Sequence, residues 1–326
     1  MRNRKQLNWQ RGLLVLGLIW LAGVLCDRLW YGLDNSVPTW DRADYLNGVL
    51  NYAEALQTPQ WSSGEWWRSF WLLSNKIPPL NYILTAPLVN WFGATEDTAC
   101  WVMQFYSGVL LVSVWGLGTV LFDLTVGLWA AGLCQLIPGL YYHRLEFLLD
   151  YPLTTAVCFS FWLLTLFFFG NKFNRWIWGF AWGISFGLGM LMKQTALFFL
   201  FLPLVWVAIT FLRRRNWLGV LQLITSLSIG IAIAFPWYRT NWLLILTSGK
   251  RATVDSAIAE GDPALNTLDA WTYYGKILPY LLSWHLLIIP LVGLSIYLIG
   301  KYIFQRSSSR IPSTIINLLG FGLEFS

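Results

Sequence analysis

The sequence predicts an all-α polytopic membrane protein: a helix bundle with about eight crossings, and interfacial helices in a large first outer loop. Three observations predict it. The 326 residues are 56% apolar and only 12% charged, where a soluble domain carries about 25% charge. Uncharged runs recur at Met103–Phe122, Tyr151–Gly170, Ala196–Leu212 and Leu281–Gly300, near the roughly 20 residues that cross a bilayer as helix. Lys and Arg gather in short segments between such runs, as cytoplasmic loops do.

The elements follow in order. Residues 1–11 are a basic N-terminus carrying Arg2, Arg4, Lys5 and Arg11, which predicts a cytoplasmic end. The first crossing is expected near 12–31. Its apolar run Gly12–Cys26 lacks a small-residue cleavage site, so it reads as an anchor. A first outer loop follows over about 33–99. Within it Ile77–Gly93 is apolar but holds Pro78, Pro79 and Pro87, and the next stretch, ATEDTA, has no Lys or Arg. It is expected to lie at the outer interface rather than cross. Further crossings are expected near 100–122, 125–142, 150–170, 175–192, 195–212, 217–237 and 281–300. Alternation then puts NKFNR (171–175), RRR (213–215) and the stretch 301–310 in the cytoplasm, and a second outer loop at about 238–280. The transmembrane module so defined covers 12–310. Residues 311–326 read as the start of a further segment, cut short.

Composition excludes several classes. Cys26, Cys100, Cys134 and Cys158 are scattered without a C-x-x-C and read as small apolar packing residues. With only two histidines, His143 and His285, a zinc cluster is not expected. The net charge of +6 follows the membrane rather than a nucleic-acid face. The 22 tryptophans gather at segment ends and in WSSGEWWRSFW, as an interfacial belt does; the sharper reading stacks some of them on a sugar or along a lipid groove.

Polar residues at the outer ends of these segments are the candidate site. In PTWDRADYL, Asp41 and Asp44 stand at the start of a helix that puts Tyr45, Val49, Tyr52 and Leu56 on one side. They could serve as helix-start acids, or as a general base or the ligands of a hard divalent cation. Lys76 precedes a Pro-Pro at headgroup level, placed to meet a phosphate or to snorkel. In YYHRLEFLLDYPL, His143, Arg144, Glu146 and Asp150 crowd between two crossings; Asp150 is also a candidate helix cap. Lys193 stands at a turn between apolar helices, where an ionisable group is a functional candidate. Trp237, Tyr238 and Arg239 end a crossing in FPWYRTNW.

In this order DRADY, KIPPL, LLDYPL, GMLMKQTA and FPWY resemble the motifs of the GT-C membrane glycosyltransferases. The branch is that of the protein O-mannosyltransferases and the aminoarabinose transferase of lipid A. The likeness covers roughly residues 10–240. It implies a GT-C-like bundle in a bacterial plasma membrane, with its active face outside the cytoplasm. It also implies inverting transfer of a sugar from a polyprenyl-phosphate donor to a lipid, glycan or protein acceptor. Asp41 matches the loop aspartate of that family, with Asp44 and Asp150 as further catalytic candidates. Lys76, Lys193 and Arg144 are the candidates for the donor phosphate. Tyr45, His143, Glu146, Trp237, Tyr238 and Arg239 are expected to line the site. Arg42 stands where the family has a Glu beside its Asp, which leaves a divalent cation on Asp41 and Asp44 an open expectation; no other cofactor is implied. Two rival classes stand beside the enzyme. A degenerate scaffold of the same fold is suggested by Arg42. A transporter would show repeats and mid-membrane charges, and the sequence shows no repeat.

Overall fold

The computed structural model describes residues 2–250, 256–259, 261–264 and 266–308. Among these residues every regular element is a helix. The chain divides into two units, 1–270 and 271–326, described separately.

The first unit begins with α1 (Arg2–Leu33) and then three short helices: α2 (Asp41–Ala55), α3 (Gly64–Leu72) and α4 (Leu80–Phe92). The bundle continues with α5 (Glu96–Leu121), α6 (Leu124–Cys134), α7 (Pro138–Leu145) and α8 (Asp150–Phe169). It closes with α9 (Lys172–Met192), α10 (Ala196–Arg213) and α11 (Trp217–Lys250), followed by the single turn α12 (Ser256–Ala259). Among the described residues five helices are long and apolar enough to cross a membrane: Trp9–Leu33 of α1, α5, α8, α10 and Trp217–Thr247 of α11. The pair α6–α7, bent by 59°, makes a sixth if it is one broken span.

The second unit holds the greater part of α13 (Leu268–Leu282) and α14 (Trp284–Ser308). These two helices meet at a 96° bend and give a seventh span when counted as one. Residues 311–326, and parts of the expected second loop, lie outside the described residues.

The sequence expects about eight crossings; length and composition in the structure give five to seven. The difference falls on α9. Its 21 residues are long enough to span, at about 1.5 Å each, but one face is small rather than apolar. Of Gly179, Gly183 and Gly187, four apart, the last two meet the α11 backbone, and Gly179 meets the Ser226 hydroxyl and the Phe167 ring. A Cβ on Gly183 would lie 2.3 Å from the Ser226 carbonyl oxygen, and one on Gly187 2.7 Å from that of Gly230. Small residues let membrane helices approach closely and gain dispersion contact. Helix α11 runs on through Pro236 to Lys250, past position 238 where the sequence starts the second loop. A proline in a helix forfeits one backbone bond, a loss that neighbouring groups in a bundle can absorb.

The segment expected as the first outer loop folds into α2–α4. Helix α4 has 13 residues, about 20 Å, too short for the roughly 30 Å hydrocarbon core. Gly93, at φ 103, ends it where an L side chain would be strained. Helix α2 buries Tyr45, Val49, Tyr52 and Ala53, the side its periodicity predicts. Tyr52 stacks on Tyr82 of α4 at 6.0 Å and meets Phe70 of α3 edge-on at 4.9 Å. Thr95 and Asp123 cap α5 and α6.

Candidate functional site

The start of α2 carries Asp41 and Asp44. Neither caps the helix: the N-cap is Trp40, with no side-chain cap bond. Trp40 is 92% exposed and holds φ 52, a strained conformation for a bulky residue. Asp41 instead accepts a hydrogen bond from the Tyr45 hydroxyl at 3.4 Å. Tyr45 is buried. Burial pushes its phenol above the ordinary range, and the carboxylates of Asp41, Asp150 and Asp44 push it further. Tyr45 thus keeps its proton and stays a donor to Asp41.

Asp150 is likewise no cap; Leu149 takes that position without a side-chain bond. Its Oδ1 accepts from Lys193 Nζ at 2.8 Å, with both side chains partly exposed. The neighbouring Gln194 donates Nε2 to the Lys76 carbonyl at 2.9 Å. Helix α11 holds the same segment from the other side: Trp237 Nε1 donates to Ser74 O at 2.7 Å and Asn241 Nδ2 to Trp71 O at 3.0 Å. The Lys76 backbone is thereby fixed beside Lys193, while its side chain is exposed and forms no ion pair among the described residues.

The rest of the α7–α8 corner divides between two duties. Glu146 pairs with Arg42 at 3.2 Å and also bonds Tyr142. Position 42 therefore adds no bare cation beside Asp41. Arg144 turns inward. Its guanidinium is buried and donates to Asp27 of α1 at 2.9 Å and to Gln135; its carbonyl accepts from Tyr31. Asp27 and Gln135 thus hold the guanidinium inside the bundle. His143 lies edge-on to Tyr142 at 5.4 Å. Tyr238 donates to Met190 O at 3.1 Å, Trp237 is fully buried, and Arg239 lies over Phe235 of its own helix. Asp27, Gln135, Gln194 and Asn241 are contributors that the sequence reading missed. An acid within an otherwise apolar crossing was the available signal for Asp27.

An apolar groove of about 590 Å³ is lined by Leu80, Pro152 and Met192, close in sequence to Lys76, Asp150 and Lys193, and by Tyr106, Ala156 and Leu188 of α5, α8 and α9. Among the described residues no three His, Cys, Asp or Glu side chains form a metal-sized group.

A family model for dolichyl-phosphate-mannose-protein mannosyltransferases matches residues 76–239, about half of the chain. The match starts at Lys76 and takes in Glu146, Asp150 and Lys193, but not α2 with Asp41, Asp44 and Tyr45. A search of curated proteins finds no match.

Proposed function

The chain belongs to the dolichyl-phosphate-mannose-protein mannosyltransferase family, and from that premise we propose an inverting glycosyltransferase. It moves a sugar from a polyprenyl-phosphate donor to a lipid, glycan or protein hydroxyl on the non-cytoplasmic face of a bacterial plasma membrane. The observation that carries this reading is the Asp150–Lys193 pair, whose next residue, Gln194, holds the Lys76 backbone, with Asp41 bonded to Tyr45 and an apolar groove lined by Pro152 and Met192.

The chemistry fits those parts. The acceptor oxygen attacks the anomeric carbon while the bond from that carbon to the phosphate oxygen breaks. The electron pair leaves with the phosphate, which gains one negative charge as polyprenyl phosphate. That charge needs a fixed cation at the point where it develops. Lys76 and Lys193 supply it; Lys193 exchanges Asp150 for the phosphate when donor binds. The acceptor proton goes to Asp41, whose carboxylate the Tyr45 hydroxyl orients. One displacement with one base inverts the anomeric centre, by the logic of inverting glycosidases. The apolar groove takes the prenyl chain. Asp44 supports the local field, and Glu146 neutralises Arg42.

The test is a donor panel offered to membranes containing the protein. Label should pass from a polyprenyl-phosphate sugar to acceptor with inverted anomeric configuration. Transfer from a nucleotide sugar alone, or retained configuration, would sink the assignment.

A further inference from the structure

The trough between α1 and α6 plays no part in that reaction. Two adjoining cavities of about 440 and 790 Å³ run along it. They share Val15, Thr125 and Leu128, so they are continuous. Ile19, Ala22 and Trp129 line its middle, and Gln135 with the buried Arg144 lines its far end. Arg11 and Asp123 stand at the near end. Asp123 Oδ1 is engaged by the amides of Thr125 and Val126 at 2.8 and 2.9 Å. Arg11 is exposed and forms no ion pair among the described residues. Arg2, Arg4 and Lys5 precede it on the same helix.

The dimensions and the charge indicate what fits. From Arg11 to Cys26 the helix rises about 22 Å at 1.5 Å per residue. That equals half of a bilayer of about 40–45 Å, headgroups included. Both walls are candidate membrane-spanning elements. A free cation at the end of an apolar trough one leaflet deep matches a phosphate-bearing lipid, and the basic residues that precede it in sequence favour an anionic headgroup. We propose that this trough binds one anionic phospholipid, its phosphate on Arg11 and an acyl chain along α1 and α6 toward Gln135.

Native mass spectrometry of the full-length protein, delipidated in detergent and titrated with phosphatidylglycerol or phosphatidylcholine, tests this. One phosphatidylglycerol should bind, with at least tenfold preference over phosphatidylcholine. Arg11→Gln, a change at an exposed position, should remove the preference. Ala22→Trp, on the exposed trough wall, should abolish binding of both lipids while the thermal midpoint of the lipid-free protein stays within a few degrees. Equal binding of the two lipids by wild type, or unchanged stoichiometry in Ala22→Trp, would overturn the proposal. So would a two-chain mass in wild type that Ala22→Trp returns to one, which would give the trough to a second copy. None of these readouts depends on sugar transfer.

Discussion

Replacing Asp27 with Leu leaves Arg144 as a bare cation inside the bundle. Both partners are almost inaccessible, at 1% and 3%, and 2.9 Å apart. Removing one member of such a pair typically costs about 3–5 kcal/mol, because the survivor is a buried charge without compensation. Arg144→Met makes the mirror change and also removes the donor to Gln135 Oε1. The double variant, Asp27→Leu with Arg144→Met, removes both charges and replaces them with apolar volume. Its cost should lie within about 2 kcal/mol of wild type, far below the sum of the single changes. The assay is thermal unfolding of the purified protein in one detergent. Each single variant should drop the midpoint by on the order of 10 °C, from about 2–4 °C per kcal/mol, and the double variant should recover most of it. A double variant as unstable as the two single changes added together would refute the reasoning, since the two side chains would then not act as a pair.

The other predictions follow from separate parts of the molecule. Gly183→Ala sets a methyl 2.3 Å from the Ser226 carbonyl, so α9 and α11 must part; a stability loss of about 1–3 kcal/mol is expected, and an unchanged midpoint would show that the contact yields freely. Lys193→Gln breaks a partly exposed pair with Asp150, which should cost under about 1 kcal/mol in stability yet lower sugar transfer at least tenfold; loss of both together would make Lys193 a structural residue. Burial raises the phenols of Tyr45, Tyr52 and Tyr82 above their ordinary value, near 10 in the unfolded chain. The folded state therefore favours their protonated forms, so stability is full below about pH 10 and falls as pH rises beyond it. Melting midpoints between pH 8 and 11.5 check this, and a midpoint that climbs above pH 10 would contradict it.

Much of the architecture was legible because the bilayer writes it in composition. Long apolar runs and three prolines separate crossings from the short α4, and a period near four put Tyr45, Val49 and Tyr52 on the buried face of α2. The site was legible as a set of residues rather than as contacts. Asp150 and Lys193, 43 positions apart, could be placed near the same membrane face, but nothing local says that they touch. The two helix-start acids read equally well as caps until the structure gave the cap positions to Trp40 and Leu149. Arg144 is the instructive case. It belongs to the same polar corner as Glu146, yet the turn of α7 sends it inward to Asp27, and sequence does not fix that rotation. The glycines of α9 carried a signal at i, i+4 and i+8 that hydropathy does not register. Nothing local in the sequence shows that Arg42 pairs with Glu146, 104 positions on.

The most direct test of the proposed reaction compares wild type with Asp41→Asn, both purified into proteoliposomes with a labelled polyprenyl-phosphate sugar and acceptor. Asp41→Asn keeps the shape and removes the base. The account predicts that it binds donor as wild type does but transfers sugar about 10²–10⁴-fold more slowly, the usual span of a positioned base. Transfer at the wild-type rate would contradict it.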